Sequence, residues 1–140
     1  MKFRIRTLLL LLGLFAVACA SAGSRGKANA LEKAQYAYSA ALRWGDIRGA
    51  WAQQDPAWRS AHPLSDFELE RYKQVEITSY RTLDSGGGDV DEAVRTIEVG
   101  IANRNTMAAR TITYRETWHY DAATRMWWVT SGLPDFWNGQ

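Results

Sequence analysis

Cysteine is nearly absent from this sequence. Cys19 is the only cysteine among 140 residues, so no disulfide bond can form within one chain. A small domain without disulfide bonds must be stabilised by its hydrophobic core, and the chain holds seven tryptophans. A tryptophan can bury about 200 Å² of surface. We therefore interpret most of the tryptophans as core residues that take the place of disulfide bonds.

A stretch long enough to span a bilayer is also missing near the amino terminus. The apolar stretch Leu8–Ala20 has 13 residues, whereas a membrane-spanning helix needs about 20. It follows the basic residues Lys2, Arg4 and Arg6 and ends in small side chains. This pattern is typical of a secretory signal, and it predicts a signal peptide over residues 1–18.

The end of this stretch, Ala16-Val17-Ala18-Cys19, resembles the lipobox of bacterial lipoproteins. The resemblance implies that the Cys19 thiol is acylated, with chains such as palmitate, and that Cys19 begins the mature chain. Two or more acyl chains hold a protein stably at a bilayer. Ala20, in place of an aspartate, implies the outer membrane, facing the periplasm. The alternative is a plain secretory signal, cut near Ala20 or Ala22, with an incidental cysteine.

Excess charge of either sign is absent from the expected mature chain. Without the signal peptide, 14 basic residues stand against 15 acidic ones, and the basic residues do not cluster. We therefore expect no nucleic-acid binding. Residues 19–30 have no large apolar side chain, so we expect the lipidated cysteine to be followed by a flexible tether. One globular domain is then expected over residues 31–140.

Helices are predicted first in that domain. From Leu31, apolar residues recur at spacings of three and four, which predicts a helix. Gly45 is expected to end it, and Asp46 to cap a second helix. Ser65 and Glu68 fit a capping box that predicts a further short helix to about Lys73.

Strands follow the helices. From Val75 the apolar spacing drops to two, which predicts a strand with Val75, Ile77 and Ser79 on one face and a loop over residues 84–89. A second strand has Ile97, Val99 and Ile101 on one side. A long third strand and a fourth strand, from Met126 to Ser131, complete a four-stranded antiparallel meander. One face of the third strand contains Ile112, Tyr114, Trp118 and Tyr120.

The predicted fold class is α+β, with amino-terminal helices covering the apolar face of the sheet. The stretch Ala41–Trp51, with Gly45-Asp46 between two helices, resembles the opening of nuclear transport factor 2-like (SnoaL-like) domains. That resemblance implies a cone of helices wrapped by a curved sheet. A cystatin-like sheet with fewer helices is the neighbouring alternative.

A carboxylate on the apolar face of the third strand is the candidate catalytic group. Enzymes of the resembled superfamily use such a carboxylate inside the cone, and Glu116 shares the face of Tyr114 and Trp118. Glu116 could act as a general base with Tyr114 or Tyr72 as hydrogen-bond donors. The structural alternative is that Glu116 pairs with an arginine of a neighbouring strand.

Other motifs point to no further chemistry. His62 and His119 have no acidic or histidine neighbour at ligand spacing, so we expect no metal site, and no motif calls for a cofactor. Trp127 and Trp128 are adjacent on a strand, so one of them must lie away from the helices. An exposed tryptophan there is a candidate binding residue for an envelope protein or a glycan.

Three functional hypotheses remain open, the third being a purely structural component of the envelope. The first is a lipoprotein of the bacterial cell envelope, bound to the lipid bilayer through Cys19, whose domain is a non-enzymatic binding or scaffold module. The second is a small-ligand pocket or weak acid/base enzyme built around Glu116.

Overall fold

The computed structural model describes the backbone of residues 2–137 and the side chains of residues 23–137. These residues form two compact units, one ending at Lys33 and the other beginning at Ala34. The helices are α1 (Lys2–Arg43), α2 (Ile47–Ala52), α3 (Pro56–Ala61) and α4 (Asp66–Tyr72), and the strands are β1 (Val75–Gly87), β2 (Glu92–Asn103), β3 (Ala109–Asp121) and β4 (Met126–Val129).

The backbone of residues 20–30 is helical and forms part of α1. A flexible tether is the prediction for this segment. The segment has no proline, and four of its eleven residues are alanine, the strongest helix former, so a helix is compatible with its sequence. The side chain of Cys19 lies outside the described residues. Among the residues described, no helix is long and apolar enough to span a bilayer.

Capping residues separate the helices as predicted. Gly45 adopts the left-handed conformation with φ of 73°, and the Asp46 side chain accepts a hydrogen bond from the Gly49 amide at 2.9 Å. Ser65 and Glu68 form the expected capping box at the start of α4. These contacts satisfy amide groups that have no partner inside a helix.

The sheet is an antiparallel meander in the order β1-β2-β3-β4, which confirms the predicted fold class. β1 is longer than expected, because Gly86 and Gly87 still pair with Val94 and Ala93 of β2. The prediction of a loop over residues 84–89 was therefore wrong for residues 84–87. Glycine can occupy a strand, and here the pairing partner on β2 decides the conformation.

A bulge in β1 changes which residues face the core. Ile77 pairs with Ile101 and Ser79 pairs with Gly100, so Thr78 is an extra residue in β1. Strict alternation placed Ser79 on the apolar face, and that assignment was wrong. Ser79 is exposed, whereas Tyr80 is half-buried and packs against the core cluster. A bulge re-aims side chains in this way.

The core lies on one face of the sheet. Ile97, Val99 and Ile101 of β2 are buried there with Phe136 from the carboxyl-terminal segment. Burying such a side chain contributes about 1.5–3 kcal/mol. Further buried residues come from the helices and from β3 and β4, namely Tyr38, Leu42, Ile47, Ala50, Leu69, Trp118 and Val129.

Candidate functional site

Strand register places a buried carboxylate beside a buried guanidinium group. Glu116 of β3 pairs directly with Arg95 of β2. Both residues belong to the core face, since Arg95 is two residues before the buried Ile97 and directly opposite residues share a face in an antiparallel pair. Glu116 is 0% exposed, and Arg95 is buried as well. The sheet therefore holds an ion pair in its core.

Both carboxylate oxygens of Glu116 accept hydrogen bonds. Arg95 donates to Oε1 through Nε at 2.9 Å and also through Nη2, and Trp118 donates to the same oxygen through Nε1 at 2.6 Å. Oε2 accepts from the hydroxyl of Tyr80 at 2.8 Å and from that of Tyr114 at 3.0 Å. We call these five residues the Glu116 cluster.

A second layer packs the cluster against α1. The ring of Tyr38 meets Trp118 edge-on, with ring centroids 5.7 Å apart. The Tyr38 hydroxyl accepts from Gln54 Nε2 at 3.2 Å. Gln54 is fully buried, and its Oε1 has no hydrogen-bond partner among the described residues. The hydrogen bond between Gln54 and Tyr38 thus connects the linker between α2 and α3 to the core.

The tyrosines of the cluster are held neutral. Burial raises the pKa of Tyr80 and of Tyr114 above the ordinary tyrosine value, and the negative charge of Glu116 raises both further. Burial likewise raises the pKa of Tyr38. A neutral phenol donates a hydrogen bond, so these pKa shifts keep each hydroxyl as a donor to the carboxylate or its neighbours.

The structure brings together part of the predicted site. Tyr114 is a donor to Glu116, as predicted. Tyr72, the other predicted donor, donates instead to the carbonyl of Pro134 at 2.9 Å. The alternative that Glu116 pairs with an arginine of a neighbouring strand is confirmed. That residue, Arg95, could have been identified by extending the alternation of Ile97, Val99 and Ile101 two residues towards the amino terminus.

The adjacent tryptophans point to opposite faces of β4, as predicted. Trp127 is only 7% exposed and lies against Tyr120, with ring centroids 5.3 Å apart. Trp128 pairs with His119 on the other face and is half-buried, with the Arg59 guanidinium 5.8 Å from its ring centroid. Of the two, Trp128 is therefore the candidate for a surface contact.

A metal site is not visible in the described part of the chain. No group of three histidine, cysteine, aspartate or glutamate side chains there could hold a metal ion. The positive partner of Glu116 is Arg95, which supplies the charge that a cation would otherwise bring. The carboxylate of the cluster thus already has a positive partner and at least one donor on each oxygen.

Solved structures with a similar fold were found by comparison. A ketosteroid isomerase-like protein from Erwinia carotovora atroseptica has a TM-score of 0.50 and 21% identity, and the match covers 73% of this chain and 89% of that one. A sec-c motif containing protein from Psychrobacter arcticus has a TM-score of 0.52 and 10% identity, with 70% of this chain and 57% of the other covered.

The comparisons establish the fold. Helices followed by a curved four-stranded antiparallel sheet match a nuclear transport factor 2-like fold of the ketosteroid isomerase-like type. No protein-family model and no curated protein matches the sequence. A shared fold of this kind hosts many unrelated functions, so function must be argued from the site.

Proposed function

We propose that this protein is a lipoprotein of the bacterial cell envelope, anchored through Cys19, whose nuclear transport factor 2-like domain is a non-enzymatic binding module. The lipobox resemblance at Cys19 supports the anchor, and the observation that carries the non-enzymatic role of the domain is the state of Glu116. The carboxylate is fully buried, and four neighbours supply five hydrogen bonds to its two oxygens. A general base needs an oxygen that can reach a substrate proton, and both oxygens here are engaged.

The stability of a Glu116→Gln variant tests the structural role of the carboxylate. Removing the charge leaves Arg95 buried without its partner, which costs about 3–5 kcal/mol. We therefore expect the free energy of unfolding, measured by urea titration, to fall by that amount. Catalytic groups are often held at a cost in stability. A variant as stable as the wild type, or more so, would favour the acid/base enzyme and contradict the proposal.

The anchor is tested separately. A Cys19→Ser variant should lose the mass of its acyl chains and, because cleavage follows acylation, keep its signal peptide, as measured by mass spectrometry of the intact protein. Ser21→Ala, two residues away, is the matched control and should remain acylated. An unmodified thiol in the natural protein would overturn the proposed anchoring, whatever the result for Glu116.

The competing hypothesis, an acid/base enzyme around Glu116, has one observation in its favour. Two neutral tyrosine hydroxyls, Tyr80 and Tyr114, lie 3.2 Å apart beside a buried carboxylate, and the structural neighbour from Erwinia is described as ketosteroid isomerase-like. That enzyme would require one tyrosine or Arg95 to move away from Glu116 before substrate could bind. Binding of substrate would then break at least one of the hydrogen bonds described above.

A further inference from the structure

An open groove lies beside β1, where the end of α1 and the start of α2 approach the edge of the sheet. Its volume is about 440 Å³, which falls within the range of small-ligand sites. Of the Glu116 cluster, only Tyr80 contributes to its wall. Its described lining comes from the end of α1, the start of α2, the end of α4, β1, the turn after β2 and the carboxyl-terminal segment.

The floor of the groove is apolar. Leu42 and Phe136 lie beneath it and are fully buried, so the apolar surface open to a ligand comes from the half-buried Ile77 and Tyr72. Tyr72 packs edge-on against Phe136, with ring centroids 5.5 Å apart, and its hydroxyl is held by Pro134. These contacts fix the aromatic floor, so an apolar ligand body could bind without rearranging it.

The rim of the groove is basic. Arg43 comes from the last turn of α1 and Arg104 from the turn after β2. No carboxylate of the described residues lies within ion-pair distance of either one. Arg104 makes one long hydrogen bond, from Nε to the Val75 carbonyl at 3.5 Å, which leaves its terminal amino groups for a ligand. Glu76 is the single acidic residue in the lining.

Two more features of the rim suit a small anion with an aromatic or aliphatic body. Trp44 is 86% exposed at the groove, where its ring can cover a bound molecule. The Ser79 hydroxyl, placed by the bulge in β1, accepts from the Gly100 amide at 3.0 Å. Its own proton can therefore be donated to an anionic group.

We propose that this groove binds a small organic anion, with the anionic group at Arg43 and Arg104 and the apolar body against Ile77 and Tyr72. The inference rests on the proposed binding function and names its ligand class. Guanidinium groups are suited to carboxylate, because their paired N–H donors match its two oxygens. The single acid of the rim, Glu76, leaves the lining with a net positive charge.

Calorimetric titration of the full-length protein in a non-ionic detergent tests the proposal, with 2-naphthoate as the probe and the uncharged 2-naphthamide as its matched control. Titration of each compound into detergent alone gives the reference heat. We expect 2-naphthoate to bind at least tenfold more tightly than 2-naphthamide, and its affinity to fall as salt screens the arginines.

Charge-removing variants assign the binding to this groove. Arg43→Gln and Arg104→Gln should each weaken 2-naphthoate binding at least fivefold, while Arg125→Gln, in the turn between β3 and β4, should leave it unchanged. Circular dichroism establishes that each variant is folded. Equal affinity for the two compounds, binding that survives both variants, or no binding of 2-naphthoate would overturn the proposal. None of these results would alter the tests on Glu116 or Cys19.

Discussion

The Glu116 cluster and the groove beside β1 both use arginine, but they place it in opposite surroundings. In the cluster, the Arg95 side chain is 10% exposed and donates twice to one carboxylate. In the groove, Arg104 is exposed, and no carboxylate of the described residues pairs with it. Matched charges in the core organise the fold, whereas an unmatched charge on a groove can recognise a ligand.

The energetic consequences also differ. A buried ion pair contributes little net stability compared with apolar residues of the same volume, but removing one partner leaves a charge that water cannot reach. An exposed arginine is already solvated, so its removal changes the free energy of unfolding little. Replacing the arginine should therefore lower the free energy of unfolding strongly in the cluster and hardly at all in the groove.

The largest expected effect distinguishes Arg95 from Arg104. Arg95→Ala should lower the free energy of unfolding by about 3–5 kcal/mol, because Glu116 keeps its charge without its partner. Arg104→Ala should change it by less than about 0.5 kcal/mol and should affect only ligand binding. Urea unfolding followed by circular dichroism measures both values.

A double variant supplies the control for this comparison. Arg95→Met combined with Glu116→Gln removes both charges and keeps an amide oxygen that can accept from the neighbouring donors Trp118, Tyr80 and Tyr114, so much of the lost stability should return. If the double variant is no more stable than Arg95→Ala, the loss comes from packing around Arg95 rather than from an unpaired charge. The contrast between the two sites would then fail.

Smaller losses are expected for the tyrosines of the cluster. Tyr80→Phe and Tyr114→Phe each remove one hydrogen bond to a charged acceptor, which is worth about 1.5–3 kcal/mol. Each single variant leaves the other hydroxyl on Glu116 Oε2, whereas the double variant leaves that oxygen with neither. The double variant should therefore cost more than the sum of the two single ones, by urea unfolding. Strict additivity would show that the two hydroxyls act independently.

Alkaline pH should destabilise the fold through the same groups. The pKa of Tyr80 and of Tyr114 is raised in the folded chain by burial and by Glu116, while in the unfolded chain it stays near 10. Above that pH the unfolded chain loses protons that the folded chain keeps. The free energy of unfolding should then fall by about 1.4 kcal/mol per pH unit for each such tyrosine.

Tyr114→Phe tests this pH dependence directly. Its unfolding free energy, measured from pH 9 to pH 11.5, should decline less steeply than that of the wild type. The difference in slope should be about 1.4 kcal/mol per pH unit, the contribution of one proton. Tyr36→Phe removes a hydroxyl from an exposed position on α1 and should keep the wild-type slope. Equal slopes for all three proteins would mean that the Tyr114 hydroxyl is not held neutral by the fold.

Local signals in the sequence were sufficient for much of the fold. Gly45 and Asp46 between the helices, and the Ser65–Glu68 capping box, act within a few residues and were predicted correctly. The same holds for the alternation that put Glu116 beside Trp118 on the apolar face. Residues 20–30 differ, because their small side chains suit either a tether or a helix, and the backbone there is helical.

The cluster could be predicted only in part. Tyr80 was missed because the bulge at Thr78 reverses the alternation, and a bulge depends on pairing with Gly100 of another strand. An ideal Cβ at Gly100 would lie 2.5 Å from Ser79 Oγ and 2.7 Å from Thr78 Oγ1, so the glycine leaves room for both side chains. Such a contact joins residues far apart in the sequence, and no local pattern reveals it. The groove depends on similar long-range contacts.

The smallest expected effect concerns the second ion pair between strands. Arg81 of β1 donates to Glu98 of β2 at 2.6 Å, with side chains 67% and 29% exposed. Because water solvates both groups, Arg81→Ala should cost only about 0.2–1 kcal/mol. Most of that difference should disappear in 1 M salt, where surface charges are screened, whereas the cost of Arg95→Ala should persist. If Arg81→Ala were as costly as Arg95→Ala, burial could not be what separates the two pairs.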